Sequence, residues 1–371
     1  MPDFHTKCKF FPIFLILLYN GILSIYIFNF AWRLKSVIFP AIMRNEKPVV
    51  GVIGVGHLGQ HHVKHYKLLN DVNLAGLYDI DSKKANIVAN TYKSTSFNNL
   101  SDLLTICDAV SVVTPTETHK HVAEQAINKG CHVFIEKPIT KTLEEADHLL
   151  KLAEKENVLV QVGHIERFNP ALSALKPYKI TPKFVEIQRL APYTVRGTDV
   201  PVVLDLMIHD IDILLSIVKS PIKNIRASGV SILTDSVDIA HARIKFENGT
   251  VASIVSSRIS QNKVRKIKLF QKNLYATIDL LLMLTEIYHV IDKPDDSSEA
   301  LKTASFTYNG DKKLIAYEKP SIDEKDVLQL ELKNFVLSLT GKETPIVDGI
   351  AGRTALAIAI KIHDMIIQDI H

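Results

Sequence analysis

Between Val49 and Val162, short runs of apolar and mostly β-branched residues alternate with longer segments whose apolar positions recur at helical spacing. The runs lie at 49–53, 72–78, 109–113, 132–135 and 158–162; helical patterns start near Leu58, after Thr116 and from Leu143. Runs that are apolar throughout, without alternation, mark strands buried on both faces. Their alternation with helices predicts an α/β fold built on a Rossmann-type, doubly wound parallel sheet. After Phe168 the rhythm changes. A helical segment at 202–218 is followed by strands at 222–232, 239–246, 250–257 and 263–270 with no helix between them. That order predicts an α+β second domain with an open, mostly antiparallel sheet. One sheet face is expected to cover the 202–218 helix, and the other, if apolar, to be an oligomer surface. A last helix, Gly349–Ile370, is expected to return to the first domain. Asn248-Gly249 reads as the hairpin turn between two of these strands rather than as a glycosylation acceptor.

The division that follows is a leader at 1–42, a first domain at 43–165 and a second domain at 166–371. In the leader, residues 10–32 are almost wholly apolar, long enough to cross a bilayer, although Pro12, Asn20, Gly21 and Asn29 interrupt them. Two readings are open. In one, this segment anchors the protein with the two domains that follow facing the cytoplasm. In the other, translation starts at Met43, from which Met43-Arg-Asn-Glu-Lys-Pro leads straight into the first strand, and the protein is cytoplasmic.

Composition narrows the picture at two points. Of the net charge of +4, the leader supplies +3 (Lys7, Lys9, Arg33 and Lys35 against Asp3), so the remainder sits near +1 and has no electrostatic footprint for nucleic acid. The three cysteines, Cys8, Cys107 and Cys131, have neither metal-ligand spacing nor the number for a disulfide framework, which fits a reducing compartment.

The first apolar run ends in Gly54-Val-Gly56-His57-Leu58-Gly59, and the helical pattern begins there. Strand, glycine turn and helix in this order form a dinucleotide cradle. Gly54 permits the tight turn, Gly56 lets a pyrophosphate approach the backbone, and Gly59 lets the helix pack on the strand. The second strand ends at Asp79, 20 residues after Gly59, where a carboxylate accepts both ribose hydroxyls and repels a 2′-phosphate. NAD is therefore expected over NADP, with Lys83 and Lys84 close enough to soften the preference. Thr114-Pro115, Glu136-Lys137-Pro138 and Gly163-His164 fall at the carboxyl ends of later strands, where ligands of such sheets bind.

Taken together, Thr114-Pro-Thr-Glu-Thr-His119, Glu136-Lys137-Pro138 and Asp205-Leu-Met-Ile-His209 resemble, in order and spacing, the glucose-fructose oxidoreductase and inositol dehydrogenase (Gfo/Idh/MocA) family. The resemblance spans about residues 47–371. It implies an NAD-dependent dehydrogenase acting on a sugar CH–OH group. Gly54, Gly56, His57, Leu58, Gly59, Asp79, Thr114, Pro115, His119, Glu136 and Lys137 would hold the cofactor. Lys137 would bridge the nicotinamide ribose and the substrate hydroxyl, followed by a cis Pro138 peptide. His209 would be the base and Asp205 its orienting partner; four residues apart on a helix, the two share a face. The pattern departs from the family before Asp205, where Val200-Pro-Val-Val stands in place of a usual glycine pair.

His164, Glu166, Arg167 and Asn169, read with Asp205 and His209, resemble the branch that oxidises UDP-N-acetylglucosamine at its 3-hydroxyl. On that reading they line the sugar or diphosphate pocket, with an inositol or polyol as the competing substrate. Asn169 has a second reading, as the cap of a helix starting at Pro170. A non-catalytic, NAD-binding sensor is the alternative of another class. A homodimer or homotetramer is the expected assembly. No metal is expected: His57, His61, His62 and His65 include pairs four apart, but no cysteine or glutamate accompanies them.

Overall fold

The computed structural model describes residues 47–194, 200–291, 301–308, 310–323 and 325–370. The 1–42 leader, with both of its readings, lies outside them.

The first half runs β1 (Val49–Ile53), α1 (His57–Leu68), β2 (Asn73–Tyr78), α2 (Ser82–Tyr92), α3 (Leu100–Ile106), β3 (Ala109–Val112), α4 (Thr116–Asn128), β4 (His132–Glu136), α5 (Leu143–Glu156) and β5 (Val160–Gly163). All five strands are parallel, in the order β2-β1-β3-β4-β5. The order reverses beside β1, so the switch-point crevice opens directly above the glycine turn. β3 and β5 are buried along their whole length because helices cover both faces. The helix starts follow local chemistry. Asp81 and Asn99 accept backbone amides at the heads of α2 and α3, and Thr142 with Glu145 forms a reciprocal capping box on α5.

A 3₁₀ turn (Ile165–Phe168) and α6 (Pro170–Ser173) lead to β6 (Phe184–Leu190). A π-helical turn (Val203–Met207) then runs into α7 (Ile208–Ile217), followed by β7 (Ile222–Val230), β8 (Ile239–Phe246), β9 (Val251–Ser257), β10 (Val264–Gln271), β11 (Leu274–Asp279), β12 (Leu284–Ile291), β13 (Leu301–Tyr308), β14 (Asp311–Glu318), α8 (Val327–Leu339) and α9 (Gly349–Ile370). The second sheet has nine strands in the order β13-β14-β12-β11-β10-β6-β9-β8-β7, all antiparallel except β6 with β9. The four strands expected from the sequence are β7–β10, with ends within two residues of those expected. β6 and β11–β14 go beyond that expectation. β6 stands apart from the others in the chain, and the outermost strands carry lysines where a buried face would carry apolar residues.

The inner face of this sheet packs on α7 and α9 through a core including Ile187, Met207, Ile211, Ile254, Ile267 and Ile362. Its outer face is mixed rather than apolar: Phe184, Phe270, Tyr275, Tyr288 and Tyr317 form a row of touching rings across five strands, with Lys266 and Lys268 on the same side of β10 as Phe270. α9 does return to the first domain. Gly349 lies against Leu150 and Val160, and a Cβ on Gly352 would stand 2.5 Å from Val162, so the helix seats directly on β5. Among the described residues no helix is long and apolar enough to cross a membrane.

Candidate active site

The glycine turn has the shape a dinucleotide needs. Gly54 has φ +85°, and a Cβ there would stand 2.7 Å from the Val113 carbonyl oxygen; one on Gly59 would stand 1.9 Å from Gly54 O. A Cβ on Gly56 meets nothing nearer than Lys84 Nζ at 3.7 Å, which leaves the backbone open on its outer side. α1 starts at this turn with no side-chain cap, so its first amides remain available to a phosphate. Leu58 and His57 are exposed there. Asp79 is tied to the same turn, accepting from Val55 N (2.7 Å) and Asp81 N (3.0 Å), and Lys84 Nζ stands 3.9 Å from its Oδ2. These residues fit an NAD-type cofactor.

On the far side of the switch point, Thr114-Pro115 opens α4 and Glu136-Lys137-Pro138 ends β4, with the Lys137–Pro138 peptide cis. The buried His119 stitches the two loops together, its Nε2 against Thr114 O (2.8 Å) and its Nδ1 against Pro138 O (2.9 Å). It therefore shapes the cofactor edge through the loops rather than through an exposed ring.

Lys137 crosses to the second domain, where its ammonium donates to both the carboxylate and the backbone carbonyl of Asp205, each at 2.9 Å. Asp205 lies in the π-helical turn, whose wider ladder suits a functional helix start. Pro201, in the segment that departs from the family, accepts from Leu204 N and Asp205 N and so begins this turn. One turn on, His209 stands edge-to-face with His164, ring centroids 5.9 Å apart. His209 Nδ1 and both ring nitrogens of His164 are buried without a hydrogen-bond partner among the described residues. Burial, helped by the Lys137 cation, holds His209 well below the ordinary histidine range and pushes His164 down to about 3. Both rings are neutral, next to a lysine whose amine donates to the Asp205 carboxylate. An alcohol placed here meets a hydrogen-bond donor in Lys137 and a proton acceptor in His209.

The other expected pocket residues are spent on structure. Glu166 Oε1 accepts from Arg189 (2.9 Å) and Arg265 (3.0 Å). Asn169 caps α6 through Ala171 N (3.0 Å) and donates to Leu280 O (2.9 Å), as its second reading has it. Arg167 is held by Asp212 and by Ile346 O, both at 3.1 Å, and lines a separate cleft of about 790 Å³ with Lys176, Lys219 and Lys333.

Two contributors escaped the sequence reading. His62, set aside as an imitation of a metal ligand, bonds through Nε2 to Glu136 Oε1 at 3.0 Å, while Glu136 Oε2 accepts from Lys137 N at 3.2 Å. Gly163 makes room for that carboxylate, since a Cβ there would stand 2.8 Å from Glu136 Oε2. The position of Gly163 at a strand end was a visible signal; the pairing of His62 was not. Among the described residues no group of histidines, cysteines and carboxylates is arranged to hold a metal.

Comparison with known proteins decides the family. Residues 49–164 match the oxidoreductase family with an NAD-binding Rossmann fold, and residues 191–271 match the GFO/IDH/MocA C-terminal domain. The chain belongs to the Gfo/Idh/MocA oxidoreductases. Within that family it is 36% identical over 318 residues to a UDP-N-acetylglucosamine 3-dehydrogenase of Acidithiobacillus ferrooxidans, covering 84% of this chain and 95% of the relative. A solved structure of that dehydrogenase superposes with a TM-score of 0.77 at 34% identity, covering 86% of this chain and 98% of the other. The scyllo-inositol 2-dehydrogenase (NAD⁺) of Bacillus subtilis is 29% identical over 236 residues, 56% of this chain and 67% of that one. As a family member the chain is a dehydrogenase with an NAD-binding Rossmann domain.

Proposed function

We propose that this dehydrogenase oxidises the 3-hydroxyl of UDP-N-acetylglucosamine with NAD. The observation that carries the reading is the Lys137–Asp205 bond, which joins the end of β4 to the π turn beside His209, in a chain similar over most of its length to a dehydrogenase of that name. A nicotinamide held between the glycine turn and the Lys137 loop would supply the hydride acceptor for the carbinol carbon. Lys137 donates a hydrogen bond to the hydroxyl oxygen and stabilises the charge that develops there. Neutral His209 takes the hydroxyl proton. Asp205 holds the Lys137 amine in place as a donor, and His209 serves as the base. His164 packs against His209 and excludes water from the inner side of the ring. Most of the rate comes from positioning. Asp79 would accept the ribose hydroxyls on its remaining lone pairs and repel a 2′-phosphate, with Lys84 moderating the repulsion. A second copy of the chain is the expected partner, packed on the aromatic row of the nine-stranded sheet.

The test is NADH formation by purified protein with UDP-N-acetylglucosamine, free sugars and inositols, with product trapped to draw an unfavourable equilibrium forward. Turnover confined to the nucleotide sugar, and lost in Lys137→Ala and His209→Ala, supports the reading. Turnover with inositols alone replaces the substrate, and NAD binding without turnover on any of them replaces catalysis by sensing.

A further inference from the structure

Behind the catalytic lysine, between the parallel sheet and the helices α1 and α8, lies a polar layer that the reaction as described does not use. Glu331 on α8 is fully buried, and neither carboxylate oxygen has a hydrogen-bond partner among the described residues. Two more orphaned polar atoms share the layer: His62 Nδ1 and Gln161 Oε1. Gln161 Nε2 faces the Glu331 carbonyl oxygen at 3.5 Å. Ring contacts define how the layer is stacked. His62 lies 5.4 Å from Phe134, and Phe134 lies 5.7 Å from Phe335, centroid to centroid. Phe335 is four residues from Glu331, and Tyr66 four from His62, so on their helices each pair shares a face. Glu331 and His62 are thus presented to the same layer from two packed helices.

The charges facing Glu331 are Glu136 from β4 and Asp212 from α7, the latter paired with Arg167; Tyr66 faces it from α1, with His62 one turn before Tyr66 on the same helix. Burial, and the two acids, push Glu331 well above the ordinary carboxylate range. A buried acid among acids keeps its proton and becomes a donor. An orphaned imidazole nitrogen in the same layer is His62 Nδ1, whose ring already reaches Glu136 through Nε2.

We propose that Glu331 is a positioning residue: a neutral carboxylic acid that donates its proton, directly or through one water, to His62 Nδ1. That bond locks His62 in the tautomer that carries its hydrogen on Nε2. The Nε2–H then holds Glu136, and Glu136 in turn holds the Lys137 backbone amide. The chain Glu331–His62–Glu136–Lys137 carries orientation from the interior to the reacting group, as a hydrogen bond to one ring nitrogen sets the role of the other. This rests on the catalytic role assigned to Lys137 above.

The experiment uses the full chain in three forms, wild type, Glu331→Gln and Glu331→Leu, with ¹⁵N-labelled histidine and His62→Gln as the assignment control. Long-range nitrogen–proton spectra read the tautomer of His62, and steady-state kinetics read kcat and KM. In wild type His62 is expected wholly in the Nε2–H form. Glu331→Gln, which retains a neutral donor, keeps both the tautomer and kcat. Glu331→Leu mixes the tautomers and lowers kcat on the order of 10- to 100-fold with KM little changed. Infrared spectra of wild type carrying ¹³C-glutamate show a protonated-carboxyl band that Glu331→Gln lacks, and this readout survives even if Glu331→Leu does not fold. A wild-type His62 in the other tautomer, the absence of that band, or a Glu331→Leu enzyme with wild-type kcat overturns the proposal. The nitrogen spectrum needs no substrate, so failure of this chain and failure of the substrate assignment give different results.

Discussion

The residue after His209 offers the sharpest test of how this fold is held. Asp210 is 1% exposed and receives both Nε (2.9 Å) and Nη2 (2.8 Å) of Arg189, whose Nη1 reaches Glu166. Replacing Arg189 with Met keeps the volume and removes the cation, leaving two buried carboxylates, one still served by the half-exposed Arg265. Breaking a buried pair in this way costs about 3–5 kcal/mol, a large share of the roughly 5–15 kcal/mol that holds a domain. At about 2–4 °C per kcal/mol for a domain of 150–250 residues, the melting temperature falls on the order of 10 °C. The deficit also depends on pH. Burial already raises Asp210 above the usual carboxylate range, and the guanidinium opposes that rise. Without the guanidinium the folded protein holds the Asp210 proton to a still higher pH than the unfolded chain does. Stability of the variant therefore falls further behind wild type as pH rises from the unfolded carboxylate range through the new folded value. Urea melts followed by circular dichroism at pH 5 and pH 8 measure both effects. Asp210→Asn in the Arg189→Met background is expected to recover part of the loss. A loss under about 1 kcal/mol, or one that does not grow with pH, would refute the claim that this pair is a desolvated structural element.

Gly163→Ala places a methyl 2.8 Å from Glu136 Oε2, so the His62–Glu136 bond breaks; kcat is expected to fall at least tenfold, by about the 1.5–3 kcal/mol of a charged hydrogen bond, as steady-state kinetics will show. Asp79→Ala removes the acceptor proposed for the ribose hydroxyls and frees Val55 N; the KM for NAD is expected to rise about 10- to 100-fold while that for NADP changes little, so the ratio of the two is the readout. His164 is neutral in the folded protein down to a pH of about 3, whereas the unfolded chain takes a proton near 6.5. It therefore contributes stability that is present above pH 6.5 and lost as pH falls toward 3. His164→Gln is expected to flatten the acid limb of the stability curve by about 1.4 kcal/mol per pH unit between pH 6 and 4, measured by urea melts; parallel limbs would mean that His164 is already protonated.

The linear pattern of the chain was sufficient for the parallel sheet, the glycine cradle and Asp79, because each depends on residues a few positions apart: a run with no polar alternation, a glycine where a Cβ would strike the next turn, an acid at a strand end. It also pointed to Lys137, Asp205 and His209 as a group, through their resemblance to a family. It was not sufficient for what joins them. The 2.9 Å bond between Lys137 and Asp205 links positions 68 residues apart, His62 meets Glu136 across 74, and Arg189 meets Asp210 through the pairing of β6 within a sheet whose parallel neighbour, β9, lies far along the chain. Which polar residues face the cleft and which are spent on structure was likewise a tertiary decision. Glu166, Arg167 and Asn169 follow His164 directly, yet a 3₁₀ turn and a helix cap direct their side chains to Arg189, Asp212 and Ala171 N. Adjacency in sequence sets only where a backbone passes; burial decides which partners its polar groups must find, because a buried charge without one is too costly to keep.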